Sequence, residues 1–84
     1  MYWDVIFVKP DHHLTLSVTF SDGLQGKVCF KPSHLTGVFE PLKDEVYFNK
    51  VFVNHGAVTW PEELDLAPDA MYAEIKMNGC WVLD

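Results

Sequence analysis

Four carboxylates lie close together at Glu62, Glu63, Asp65 and Asp69, and Tyr72 follows them. With Asp44, these are the side chains of this chain best suited to chemistry. Paired carboxylates act as general acid and base, and several together suit a hard cation such as Ca²⁺ or Mg²⁺. Asp44, Asp65, Asp69 and Tyr72 around one pocket would make a small-ligand-binding or hydrolytic site. A plainer reading assigns each a local structural role. Asp69 sits where it favours the positive end of a helix opened by Pro68, and Asp65 caps the loop before it. Asp44 suits the cap of a short helical turn through Tyr47 and Phe48. The glutamates are solvated. No D-x-D-x-D-G calcium loop occurs, so the structural reading is preferred.

The other reactive types are scattered. His12, His13, His34 and His55 lack the H-x₃-H or paired-cysteine spacings of zinc sites, so no metal site is expected. Adjacent His12 and His13 point to opposite sides of an extended segment. Cys29 and Cys80 lack a C-x-x-C or Cys–His signature and are read as structural free thiols. Ser17, Ser21 and Ser33 lie outside any G-x-S-x-G elbow. No phosphate-cradling glycine loop is present, so nucleotide binding is unsupported. The expectation is a non-enzymatic protein with no catalytic residue and no cofactor.

Size and charge narrow the classes further. At 84 residues the chain reads as one domain spanning 1–84. A domain of this size buries only roughly 60–65% of the surface its unfolded chain exposes, so bulky side chains must fill a thin core. Six Phe, three Trp and three Tyr suit that need. Net charge is -6, from 12 acidic and 6 basic residues. The cations (Lys9, Lys27, Lys31, Lys43, Lys50 and Lys76) are all lysines and are spread out. Direct nucleic-acid binding is therefore not expected, since it needs clustered cations to displace phosphate counterions. The start lacks a basic n-region and an apolar h-region, and no run approaches a membrane span. A cytoplasmic setting is expected, and a basic protein suits the acidic surface as a partner.

The elements that position these residues can be read from periodicity. Residues 2–9 are rich in β-branched and aromatic types and form a first strand. Leu14, Leu16, Val18 and Phe20 alternate with Thr15, Ser17 and Thr19, giving a second strand with one wet face. Ser21-Asp22-Gly23 turns into a third strand over 24–30, with Gly26 as a possible bulge. Pro32 or Ser33 opens a short helical turn that Gly37 closes, and 38–44 is a compact irregular connection. Residues 50–53 and 57–60 form a second hairpin around a three-residue loop, Asn54-His55-Gly56. A helix starts at Pro68, presents Met71, Tyr72 and Ile75 as an apolar stripe, and stops at Asn78-Gly79. Cys80 to Leu83 is a last short strand or a docked tail. The fold class is thus α+β: an antiparallel sheet of about five strands, built from a three-stranded meander, a short helical connection and a second hairpin, with a C-terminal helix packed on it.

Five blocks in this order resemble a known bacterial family, domain of unknown function 2442. They are Trp3-Asp4-Val5, Phe20-x-Asp22-Gly23, Gly37-Val38-Phe39-Glu40-Pro41-Leu42-Lys43-Asp44, Tyr47-Phe48, and Trp60-Pro61 followed by Asp65-Leu66-Ala67-Pro68-Asp69 and Tyr72. The resemblance covers roughly residues 3 to 72. It implies a small cytoplasmic α+β domain with no established catalytic residue. Some members resemble this domain fused to a helix-turn-helix segment, which implies a regulatory role; only twelve residues follow Tyr72 here. Short members are similar to proteins encoded beside another small protein, an arrangement like a toxin–antitoxin pair. Members often carry a glycine before the aspartate matching Asp65, where this chain has Glu63-Leu64.

The function expected from these readings is a protein-interaction or regulatory module, the antitoxin-like partner of a small basic protein, with a second copy of itself as the other candidate partner. Two alternatives compete with it. One is the ligand-binding or hydrolytic cluster above. The other is a component of a transcription regulator that acts with a separate DNA-binding chain. The expected surface is the Tyr47-Phe48-x-x-Val51-Phe52 run together with Trp60 and the cluster of Asp44, Asp65, Asp69 and Tyr72. Phe52 points away from Val51 and Val53 on its strand, so it shows an aromatic ring wherever the opposite face packs on the core.

Overall fold

The computed structural model describes all 84 residues. Three antiparallel strands come first: β1 (Val5–Pro10), β2 (Thr15–Phe20) and β3 (Gln25–Phe30). Leu16, Val18 and Phe20 are buried on one face of β2, as their alternation requires, and Val28 and Phe30 continue that face on β3. Leu14 belongs to the same core but precedes the strand, in a left-handed conformation with φ 53°. At the next turn Asp22 accepts a hydrogen bond from the Leu24 N–H (2.9 Å), while Gly23 takes the positive φ of 95°.

The connection that follows is helical but not α-helical. Pro32–His34 and Gly37–Lys43 are 3-10 segments. Gly37, at φ 58°, opens the second segment; it does not close the first, as the sequence had suggested. The short helix α1 (Glu45–Phe48) is capped as expected, with Asp44 accepting from the Val46 N–H at 3.0 Å. Strands β4 (Phe52–Asn54), β5 (Ala57–Trp60) and β6 (Leu64–Asp65) then form a sheet of their own, and α2 (Pro68–Asn78) leads through Gly79 into β7 (Cys80–Leu83).

The single five-stranded antiparallel sheet is therefore corrected to two sheets. One has four strands in the order β1-β2-β3-β7, the other three in the order β4-β5-β6. The first is mixed, because β7 runs parallel to β3. A parallel pair needs a crossover of a dozen or more residues, usually a helix, and α2 provides its last part. The second hairpin also differs. Asn54 pairs directly with Ala57, leaving a two-residue turn of His55 (φ 51°) and Gly56 (φ 78°). Two consecutive positive φ values define the type I′ turn, whose twist matches the strands. The three-residue loop is not formed because His55 itself adopts the left-handed conformation.

A cluster of 16 buried apolar residues joins both sheets and α2. Trp60, fully buried, lies against Phe30 and Phe48, with ring centroids 6.0 and 5.9 Å away. Its indole N–H donates to the Phe48 carbonyl at 2.9 Å. The Val5 N–H donates to the Gly56 carbonyl (2.8 Å), tying the edge of one sheet to the hairpin of the other. Met71, Tyr72 and Ile75, the stripe on α2, are all buried. No helix is long and apolar enough to cross a membrane.

Gly26 is not a bulge; it pairs in register with Val18. The irregularity lies in β1, between Val5 and Phe7. Gly26 instead lets α2 approach the sheet. A Cβ there would stand 2.4 Å from Ile75 Cγ2 and 2.9 Å from the Gly79 carbonyl. Gly26→Ala is accordingly expected to destabilise the domain by about 1–3 kcal/mol, the usual range for overpacking. Ile75→Ala should recover part of that loss when combined with it, giving a less than additive double mutant in urea unfolding.

Candidate functional site

The expected surface residues divide into three groups. The first is core. Phe48 and Trp60, proposed above as surface, are 4% and 0% exposed. Their burial follows from size: a thin core recruits the largest rings available. Tyr72 joins them at 7%. The second group sits at helix starts. Asp44 caps α1 through the Val46 N–H, whereas Asp69 lies within the first turn of α2, where it accepts from the Ala70 N–H at 2.9 Å and no side chain caps the helix. The third group meets in one place. Phe52 and Asp65 line a concavity of about 470 Å³ with Glu62 and Glu63, over Thr59 and Trp60.

That concavity is framed by β4, β5 and the Pro61–Asp65 return. Phe52 is opposite Thr59 on β5, and Thr59 is opposite Asp65 on β6, so one face presents Phe52, Thr59 and Asp65 in a row. Phe52 remains 43% exposed. The floor is fixed by Trp60, while the Tyr47 hydroxyl donates to the Pro61 carbonyl at 2.5 Å and anchors the return. Glu62, Glu63 and Asp65 take part in no salt bridge; the ion pairs are Met1–Asp4, His12–Asp11 and Lys27–Asp11. Three carboxylates without a cation and a half-exposed ring therefore share one hollow.

The return is also strained. Glu62 and Glu63 both have positive φ, 71° and 66°. Left-handed backbone costs a residue bearing a Cβ about 1–2 kcal/mol. Glycine would be at ease in either place.

Of Asp44, Asp65, Asp69 and Tyr72, only Asp65 lines this concavity. Tyr72 instead donates its hydroxyl to Asp22 Oδ2, in the β2–β3 turn. That hydrogen bond and the Leu24 N–H hold the Asp22 carboxyl below the usual carboxylate range. The same bond, with burial and the Asp22 charge, pushes the Tyr72 phenol up to about 12. Asp22 was not foreseen as a partner. It lies 50 positions from Tyr72, in a turn that accounts locally for an aspartate. Asp11, also unforeseen, receives the Lys27 ammonium, which lowers its carboxyl pKa; Lys27 also donates to Ser17 at 2.8 Å.

A second concavity of about 220 Å³ lies between the β1–β2 turn and α1, where His12, His13, Lys43 and Glu45 surround Leu14 and Phe48. Nowhere do three or more His, Cys, Asp or Glu side chains converge in a way that could hold a metal ion. Cys29 and Cys80 are free. Cys29 is in register with Val82 and Cys80 with Lys27, so the two thiols are diagonal neighbours. Diagonal positions are roughly 7–8 Å apart, beyond the reach of a disulfide.

Fold and site together define a small α+β domain whose polar side chains mostly cap, turn and brace, with one open acidic and aromatic hollow. The family model described as Protein of unknown function (DUF2442) matches residues 5–77, and the chain belongs to that family. No curated protein matches it, and no solved structure does.

Two outcomes test this geometry. The Tyr72–Asp22 bond stabilises the fold between two limits. Asp22 has a lowered folded pKa, so its contribution is present above its unfolded value of 3.8 and lost as pH falls through the folded value. Tyr72 has a raised one, so its contribution is present below 10.0 and lost as pH rises towards about 12. Tyr72→Phe should lower the melting temperature most between these limits and least beyond them. In the parent protein one tyrosine should ionise near 12 by absorbance, and that step should vanish in the variant. At the return, Glu63→Gly should remove left-handed strain of about 1–2 kcal/mol against an entropic cost of about 0.4–1 kcal/mol. The net gain lies between about zero and roughly 1.6 kcal/mol, and each kcal/mol raises the melting temperature by about 4–8 °C in a domain this size.

Proposed function

We propose that this domain is a non-enzymatic protein-interaction or regulatory module of the bacterial cytoplasm, and that it holds a basic segment of a small protein partner in the Phe52–Asp65 hollow. The observation that carries the reading is the half-exposed Phe52 ring beside Glu62, Glu63 and Asp65, none of them neutralised by a cation of the same chain. An aromatic face attracts an arginine or lysine head, and the carboxylates complement its charge. Trp60 and Tyr47 brace the floor and rim, so the hollow is formed before a partner arrives. The chain's net charge of -6 favours encounter with a basic protein over its own kind or a nucleic acid.

An antitoxin-like role is the form of this reading that the family resemblance suggests. The hydrolytic alternative loses weight because Asp44 caps α1, Asp69 bonds the adjacent Ala70 N–H in the first turn of α2, and Tyr72 is bound to Asp22. A role in transcription would require a separate DNA-binding chain as the partner.

The experiment is co-purification from the native host, followed by titration of whatever basic protein is recovered. Phe52→Ala should cost at least about 1 kcal/mol of binding, as central aromatic anchors do. Glu62→Gln, Glu63→Gln and Asp65→Asn together should slow association and flatten its dependence on salt. A partner that binds these variants as tightly as the parent, with the same salt dependence, would move the site elsewhere.

A further inference from the structure

The four-stranded sheet ends at β1 on one side and at β7 on the other, and the two edges are built differently. Strand β1 carries the devices that prevent edge pairing: a register irregularity between Val5 and Phe7, then Lys9 and Pro10. Strand β7, Cys80-Trp81-Val82-Leu83, carries no proline, no charge and no irregularity in its register. Its side facing β3 is satisfied. The Lys27 N–H donates to the Gly79 carbonyl (3.4 Å) and the Lys31 N–H to the Leu83 carbonyl (2.8 Å). In a parallel ladder alternate residues bond the same neighbour, so Gly79, Trp81 and Leu83 turn inward. Cys80 and Val82 therefore direct their N–H and C=O groups outward, and Val82 is 45% exposed.

We propose that β7 is a self-association edge, pairing antiparallel with β7 of a second copy about a two-fold axis at Trp81. Cys80 of each copy then lies opposite Val82 of the other, and each such pair exchanges both of its N–H···O bonds. A second copy is the occupant because the edge is complementary to itself: the outward groups sit two residues apart, symmetric about Trp81, as an isologous contact requires. The net charge of -6 on each copy weakens the association, but no charged side chain lies between Cys80 and Leu83 to face its own copy at the edge itself. The joined sheet has eight strands. A four-residue edge is small beside the roughly 1,200–2,000 Å² of a stable interface, so the dimer is weak and reversible. The edge shares no residue with the Phe52–Asp65 hollow and does not depend on the function proposed for it.

The test is sedimentation of the 84-residue chain over a wide concentration range, with four variants. Val82→Pro removes an outward N–H and leaves the β3–β7 bonds of Trp81 and Leu83 in place. Val82→Lys adds an edge charge and serves if the proline variant does not fold. Each folded variant should weaken dimerisation on the order of tenfold or more with circular dichroism unchanged. Cys29 faces Val82 across β3 and β7, so the crosslinking variant is Val82→Cys in a Cys29→Ser background. Mild oxidation should link Cys80 of one copy to the introduced thiol of the other, and further replacement of Cys80 by serine should abolish the link. A parent chain that stays monomeric at all concentrations overturns the proposal, and so does a Val82→Cys, Cys29→Ser variant that does not crosslink. So does a dimer that survives both Val82 substitutions, or a crosslink that persists without Cys80.

Discussion

Everything in this domain that has to stay put is referred to Trp60. Its ring fills the junction of β3, α1 and β5, against Phe30 and Phe48, and its N–H is used up on the Phe48 carbonyl. A buried indole N–H without a partner would cost about 1–3 kcal/mol, so the ring has one acceptable orientation. That orientation fixes the end of β5, where Pro61 turns the chain and Tyr47 holds it. The hollow above is thus an outcome of core packing. In a chain of 84 residues the same few large side chains must build both the interior and the floor of any site.

The parts of the fold that could be read from the residues are those with a period. Leu16, Val18 and Phe20 alternate and are buried together; Met71, Tyr72 and Ile75 share a helical face and are buried together. The parts that could not be read lack one. Strand β7 is four residues long, and nothing within it tells a docked tail from a strand, still less a parallel one. Its direction is set by α2, which carries the chain back across the sheet. The division into two sheets was equally hidden, because Leu64 and Asp65 pair with Trp60 and Thr59 only after a return through two left-handed glutamates. Sequence rules assign such backbone to glycine or asparagine, and here the residues violate the rule.

The candidate site was legible by composition and obscure in geometry. Glu62, Glu63 and Asp65 are neighbours in sequence, but Phe52 joins them only through the pairing of β4, β5 and β6. Phe48 and Trp60 are core because aromatic side chains in a small domain are claimed by the interior first. The partner of Tyr72 was missed for a different reason. Asp22 explains itself locally as a turn residue, and nothing in a turn announces that its second carboxylate oxygen is committed to a side chain far along the chain.

The parallel pairing of β3 with β7 bears on how the molecule is made. Residues 27–30 find their neighbours only at 80–83, and Gly26 meets Ile75 of the intervening helix. The β1–β3 meander is local and can form early, but one side of β3 stays unpaired until residues 80–83 have emerged from the ribosome. Contacts so distant in sequence slow folding, and an unfilled strand edge in a nascent chain invites the wrong neighbour. Synthesis therefore passes through an interval, set by the placement of one four-residue strand, in which the meander waits for the fourth strand of its sheet.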